Sequence, residues 1–235
     1  MPMPRDPSMK AIVLSAGRGE RMRPLTDTTP KPLLTVAGKP LIVYHLEALA
    51  RAGIRDVVVN LSWLGERIRT ALGDGARYGV RIVYSDEGPV ALETGGGVLK
   101  ALPLLGPGPF LALSGDVWTD FPLAGLRLAP GDVAHFVLTP NPDFRPQGDF
   151  GLSSGRITDA PPRFTYANVG VFRPEFFANA EPGRFPLGPL MFEWSRKGRV
   201  SGELYRGRWH NIGTPTQLSE LEQQVSPRNP APCPN

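Results

Sequence analysis

Cysteine is nearly missing from this chain. Its one thiol, Cys233, sits in a Pro-rich tail with no second cysteine, so no disulfide can form within the chain. That usage suits a reducing compartment, and a cytoplasmic location is the expectation. Histidine is scarce as well: His45, His135 and His210 show no metal-ligand spacing with one another or with Cys233, which argues against zinc. No stretch reaches the ~18 consecutive apolar residues of a membrane span. Residues 1–8 mix Pro, Arg and Asp instead of forming the apolar segment of a signal peptide. Charge of one sign is lacking too. The 26 basic and 22 acidic side chains leave a formal +4 spread along the chain, without the dense basic stripe of a nucleic-acid binder. Neither nucleic acid nor membrane is expected as a partner. The small basic excess is compatible with an anionic small molecule.

What is present is a chain able to build a core, since 41% of its residues are hydrophobic. Residues 1–8 and 226–235 are rich in Pro and poor in apolar residues, so both ends are expected to be disordered around a single domain at 9–225. Within it, apolar runs alternate with helical spacing. Residues 10–16 (KAIVLSA), 56–61 (DVVVNL), 81–84 and 110–114 (FLALS) read as strands. Residues 40–52 and 64–72 read as helices, each followed by a glycine suited to the C-terminal cap, and 96–102 as a short helix. Strands separated by helices predict βαβ crossovers and a doubly wound, mostly parallel α/β sheet with helices on both faces. The second half is less regular, with strands expected at 132–138, 150–153 and 164–172 and helices at 187–197 and 216–223. It is expected to continue the sheet and to add a cover over a substrate.

The first strand runs into Ser15-Ala16-Gly17-Arg18-Gly19-Glu20-Arg21-Met22-Arg23-Pro24-Leu25. Glycines let backbone amides approach an anion closely, and guanidinium forks match phosphate oxygens. A dinucleotide fingerprint would need glycine where Met22 stands, and a Walker A loop would need Gly-Lys-Ser/Thr, so neither applies. A plain turn after a strand remains the other reading. Next comes Thr29-Pro30-Lys31-Pro32, which places Lys31 between two prolines on a stiffened, extended segment. Such a fixed ammonium suits a triphosphate, although an isolated P-K-P also fits an exposed loop. The strand at 110–114 ends in Gly115-Asp116-Val117-Trp118-Thr119-Asp120. By spacing alone Asp116 serves equally as a metal ligand at a strand end or as a turn residue, and Asp120 is the expected cap of the next segment.

Taken together, LSAGRGERMRPLT and TPKPLLTVAGKPLIVYHLEAL resemble the start of the sugar-1-phosphate nucleotidyltransferases, with their pattern G-x-G-x-R-[ML]-x-P-L-T followed by P-K-P. The resemblance covers nearly all of residues 9–224 and implies a Rossmann-like mixed sheet. It implies a nucleotide-binding half at about 9–120 and a sugar-binding half at about 121–225. By resemblance Ser15, Ala16, Gly17, Gly19, Arg21 and Lys31 hold the triphosphate, with Arg21, Lys31 and Asp116 as the catalytic set. Asp116 also binds Mg²⁺, with a second ligand in W-x-D-x-G-T. This chain departs there, because Trp209-His210-Asn211-Ile212-Gly213-Thr214 has Asn211 where aspartate is usual. An amide oxygen can still coordinate Mg²⁺, but without the negative charge.

Residues 92–97 (LETGGG) read as a loop between strand and helix, whose glycines imply close approach to something flat or to backbone. The resemblance places Glu93, Gly95 and Gly96 at the nucleobase. E-T-G-G-G is similar to a smaller branch of the family, the uridylyltransferases acting on N-acetylmuramate 1-phosphate in cell-wall recycling. Asp149, Asn168 and Gly170, ordinary turn residues as bare sequence, fall where the family holds its sugar. The reaction implied is transfer of a nucleotidyl group from a nucleoside triphosphate, UTP for this branch, to a sugar 1-phosphate, with pyrophosphate leaving. Mannose-1-phosphate guanylyl transfer or another hexose-1-phosphate nucleotidyl transfer, and a non-catalytic nucleotide-sugar sensor suggested by Asn211, are the alternatives.

Overall fold

A computed structural model of the chain describes residues 9–226. The segments expected to be disordered, 1–8 and all but Ser226 of the tail, lie outside the described residues, as does Cys233. In chain order the strands of the first half are β1 Lys10–Leu14, β2 Thr35–Val36, β3 Lys39–Pro40, β4 Asp56–Leu61, β5 Arg81–Asp86, β6 Phe110–Ser114 and β7 Val117–Thr119. The second half supplies β8 Ala134–Thr139, β9 Phe150–Ser153, β10 Arg156–Thr158, β11 Arg163–Phe172, β12 Val200–Leu204 and β13 Trp209–Asn211. The α-helices are α1 Leu25–Thr28, α2 Leu41–Arg51, α3 Gly65–Leu72, α4 Glu93–Leu105, α5 Gly188–Arg196 and α6 Pro215–Val225.

Successive strand side chains point to opposite faces, and the first half uses both. Ala11, Val13, Val57, Val59, Leu111 and Leu113 pack on one side against Ile42, Leu46 and Leu49 of α2 and Ile68 and Leu72 of α3. Ile12, Val58, Phe110 and Ala112 pack on the other against Val98 and Ala101 of α4 and Met191 and Trp194 of α5. Continuous apolar runs such as AIV and VVV are therefore what a sheet covered twice requires. The nine strands follow the order β5-β4-β1-β6-β11-β8-β12-β10-β9. From β5 to β6 neighbours run parallel, with Ala11 opposite both Val57 and Leu111. Beyond β6 the sheet turns mixed: β11 is antiparallel to β6 and β8, while β12 runs parallel to β8. A separate pairing of β7 with β13 sets Asn211 opposite Val117. A third apolar cluster that includes Met22, Val36, Leu41, Trp118, Ile212 and Leu221 joins the glycine-rich loop to that strand pair and to α6.

Two local expectations are corrected. The helix expected at 96–102 is longer: α4 starts at Glu93, so that Glu93, Thr94 and Gly95 join Gly96 and Gly97 in it, and it runs past Pro103 to Leu105. Two of its first amides find a partner outside the helix: Gly95 N and Gly96 N donate to Phe185 O at 3.0 and 3.2 Å, and Phe185 N donates to Leu92 O at 3.1 Å. A Cβ on Gly96 would stand 2.0 Å from Gly183 O. The glycine run therefore lets segment 183–185 lie directly on the helix start. Lys31 is likewise not extended. It opens a single 3-10 turn, Lys31–Leu33, in which Leu33 N donates to Pro30 O at 2.8 Å. The first amides of such a turn need no internal partner, so Pro32 loses no hydrogen bond there.

The contact at Gly96 has a measurable consequence. Gly96→Ala should lower unfolding free energy by ~1–3 kcal/mol, the scale for overpacking a tight site. Gly108→Ala, where nothing lies within 4 Å of an added Cβ, should change it by no more than ~0.5 kcal/mol. Equal urea midpoints for the two variants would contradict the close approach.

Candidate active site

Strands β1 and β6 are neighbours, yet the chain reaches β4 and β5 on one side of β1 before returning to β6 on the other. That places a topological switch point between them, and α/β sheets bind ligands in the crevice at the carboxyl ends of such strands. Two adjoining cavities of about 180 and 750 Å³ lie there and share Gly17, Lys31, Ala91, Glu93 and Asp116.

The glycine-rich loop leaves β1 and turns at Gly19, whose φ of +65 is a conformation that side chains rarely adopt. Gly19 O accepts from Met22 N and from Thr26 Oγ1, both at 2.8 Å. Around Gly17 no atom would lie within 4 Å of an added Cβ, so the backbone there is open to a ligand. Ser15 and Ala16 line the smaller cavity, and Gly19 and Arg21 the larger. The Arg21 guanidinium lies close over Gly213, whose added Cβ would meet Nη2 at 3.1 Å. The loop thus touches the Trp209-to-Thr214 segment singled out in the sequence. Arg18 instead stacks on Trp63, 4.4 Å above the ring.

Lys31 and Asp116 meet at the floor. Nζ of the buried lysine donates to Oδ2 of the half-buried carboxylate at 2.5 Å. Asp116 is fixed through its own backbone, since its carbonyl accepts from Ile212 N at 2.9 Å. This bond and the β7–β13 pairing bring Asn211 to the same corner as Asp116. Behind the corner lies His45, buried in α2 beside the backbone of Ser114 and Val117; burial lowers the pKa of its imidazole and favours the neutral ring. Asp120 does not cap the next segment. Its carboxylate accepts from Tyr205 Oη, Arg208 N and Arg208 Nε, which ties β7 to the approach of β13. Trp118 is core, and Trp209 donates from Nε1 to Ala167 O at 2.8 Å.

A buried polar strut escaped sequence reasoning. Asn60, at the end of β4, accepts from Ser15 N with Oδ1 at 2.6 Å. Its Nδ2 donates to Glu87 Oε1 at 2.6 Å, and Glu87 Oε2 accepts from Leu92 N at 2.6 Å. Both side chains are buried and line the smaller cavity. One carboxylate thereby couples the start of the glycine-rich loop to the segment leading into α4. The available signal was an acidic residue just past the carboxyl end of a parallel strand, at Glu87-Gly88-Pro89.

Other expected positions lie apart from the cavities. The amides of Gly95 and Gly96 are bonded to Phe185, so this stretch meets the cleft through Glu93 and Thr94. Asp149 accepts from Arg145 and, at 2.9 Å, from Tyr166 N. Asn168 sits at φ +58 in a bulge of β11, and Gly170 is paired inside the sheet opposite Ala112 and Phe136. Asp149, Asn168 and Gly170 line neither cavity.

Fold and cleft define an α/β protein with a glycine-rich loop, a fixed lysine and a strand-end carboxylate at a switch point. A sequence model described as nucleotidyl transferase matches residues 10–129. The N-acetylmuramate alpha-1-phosphate uridylyltransferase of Neisseria meningitidis serogroup B is 46% identical over 228 residues, covering 91% of this chain and 97% of that protein. The Caulobacter vibrioides protein of the same name is 37% identical over 233 residues, covering 92% and 96%. A solved Bacillus anthracis structure titled for glucose-1-phosphate thymidylyltransferase superposes with a TM-score of 0.81 over 95% of this chain and 97% of that one. At 19% identity it speaks for the fold alone. The chain belongs to the nucleotidyl transferase family.

The strut offers a test of site assembly. In Glu87→Gln one carboxylate oxygen becomes a donor facing either Asn60 Nδ2 or Leu92 N, and flipping Asn60 only transfers the clash to Ser15 N. Stability should fall by ~1–3 kcal/mol, the cost of an unsatisfied buried group, and the KM for the triphosphate should rise with it. Unchanged urea midpoint and KM would remove the strut from the site.

Proposed function

We propose that this protein transfers a uridylyl group from UTP to N-acetylmuramate 1-phosphate, releasing pyrophosphate. The observation that carries the reading is the Lys31–Asp116 pair, held at the switch point beside the open backbone of Gly17. The two named relatives, matched over nearly their whole lengths, support the choice of base and sugar.

In the reaction an oxygen of the sugar 1-phosphate forms a bond to the α-phosphorus. The α–β phosphoanhydride bond breaks, and its electron pair leaves with pyrophosphate. The nucleophile is already anionic, so no general base is needed. Catalysis is positioning plus electrostatic stabilisation. Backbone around Gly17 and Gly19 and the Arg21 guanidinium bind phosphate oxygens, and Lys31 exchanges the Asp116 carboxylate for the charge growing toward the leaving group. Asp116 and Asn211 suit Mg²⁺ in donor chemistry, one carboxylate and one amide oxygen, and the β7–β13 pairing sets them in one corner. When bound, Mg²⁺ would offset phosphate charge there.

Four triphosphates assayed against several sugar 1-phosphates for pyrophosphate release test the assignment. The highest kcat/KM is expected for UTP with N-acetylmuramate 1-phosphate. A preference for GTP would move the protein to the guanylyltransferases, and no release with any pair would make it a sensor.

Asn211 sets the metal requirement. A neutral amide attracts Mg²⁺ less than a carboxylate, so in this reading the ion enters mainly with the nucleotide. Asn211→Asp should lower the Mg²⁺ concentration for half-maximal activity, and Asp116→Asn should nearly abolish turnover. Metal titrations at fixed UTP decide this. A harmless Asp116→Asn, or an unaltered Mg²⁺ requirement in Asn211→Asp, would put the metal elsewhere.

A further inference from the structure

One cation of the cleft has no part in the reaction just described. Arg184 lines the larger cavity together with Arg21, Lys31 and Asp116, and its side chain is 63% exposed. Its backbone is nevertheless firmly mounted. Phe185 exchanges hydrogen bonds with Leu92, Gly95 and Gly96, and Gly183 O packs on Gly96. A long, freely hydrated arginine needs no such mounting, whereas one that must present its head at a fixed place does.

The partner of Arg184 is equally specific. Its Nε lies 3.0 Å from Glu93 Oε1. Glu93 holds a φ of +60, unfavourable for a glutamate and easy for glycine. This glutamate therefore keeps a strained backbone at the cleft edge with its carboxylate on Arg184. Contact through Nε leaves the Nη1–Nη2 edge of the guanidinium as a two-pronged donor for a second carboxylate. A triphosphate is a poorer match for this spot, because Glu93 offsets the single positive charge of Arg184 and repels a multiply charged group more than a singly charged one.

The acceptor sugar proposed above differs from the neutral N-acetylated hexosamine 1-phosphate in one group, a lactyl ether that ends in a carboxylate. We propose that Arg184 receives this carboxylate and selects the acidic sugar, with Glu93 as the positioning residue that holds the guanidinium edge toward it. The inference rests on the acceptor reading of the preceding subsection.

The experiment compares wild type, Arg184→Ala and Arg184→Lys at saturating UTP. N-acetylmuramate 1-phosphate and N-acetylglucosamine 1-phosphate serve as acceptors, and the KM for UTP is measured alongside. In Arg184→Ala the ratio of kcat/KM for the acidic over the neutral sugar should fall by about 10- to 100-fold, the worth of one charge-assisted pair. The loss should lie in the KM for the acidic sugar, and the KM for UTP should hold within about twofold. Arg184→Lys should recover part of the ratio, since it restores charge without the fork. An unchanged ratio in Arg184→Ala, or a loss carried by the KM for UTP, overturns the assignment and gives Arg184 to the triphosphate or to the surface. Failure of the acceptor reading shows separately, as a wild-type enzyme that does not turn over N-acetylmuramate 1-phosphate at all; the proposal then falls with it.

Discussion

A buried ammonium at the edge of a sheet must have an anion beside it, and much of this molecule depends on how that condition is met at Lys31. Its partner, Asp116, is 85 residues away in sequence. The pair can form only if the turn after β1 and the end of β6 are brought to one place. Parallel pairing of β1 with β6 does this, and the apolar cluster of Met22, Trp118 and Ile212 clamps the two loops from outside. Removing either partner would leave a desolvated charge, which is far costlier than losing an exposed salt bridge. The same condition orders this wall of the cleft, because each charge of the pair holds the other in position.

The Glu87–Asn60 strut extends this organisation to the other wall. Backbone donors of Ser15 and Leu92 are both satisfied by side chains that are themselves bonded to each other. In a low-dielectric setting such a chain is stiff, since moving one member orphans the next. The start of the glycine-rich loop and the segment entering α4 are thus one mechanical unit although they lie far apart in sequence. Segment 183–185 joins the unit through the glycine face of α4. The cleft is assembled from stretches of chain far apart in sequence, among them 14–32, 87–94, 114–116 and the neighbourhoods of Arg184 and Gly213.

How much of this was legible in the sequence depends on range. β1, β4, β6, α2 and α3 were readable because apolar period and terminal glycines are local signals, and the structure places these elements within a residue or two of expectation. The three-residue strands β7, β10 and β13 were not, because they are too short to show a period and exist only through their partners. The start of α4 was expected three residues late, at Gly96, since glycine disfavours helix, and tertiary bonds from Gly95 and Gly96 to Phe185 outweigh that preference. In the site, Gly17, Arg21, Lys31 and Asp116 could be named because each belongs to a compact motif, and the structure brings them to one cleft. Glu87 and Arg184 lie in no motif, and only the fold reveals what they face. Asp149, Asn168 and Gly170 lie apart from the two cavities, in a local hydrogen bond, a bulge and a sheet pairing respectively.

The asparagine at 211 makes sense within the same electrostatics. Asp116 is balanced by Lys31, and Glu93 by Arg184. A carboxylate at 211 would add a second, partly buried negative charge near Asp116. Desolvating such a charge is costly unless a metal is always bound. The neutral amide retains an oxygen donor for a cation and spares the ligand-free protein that charge. An enzyme that must hold its metal permanently gains from two carboxylates at such a corner. One whose metal arrives with a polyanion gains more from a corner already near neutrality, since the incoming triphosphate then meets less repulsion.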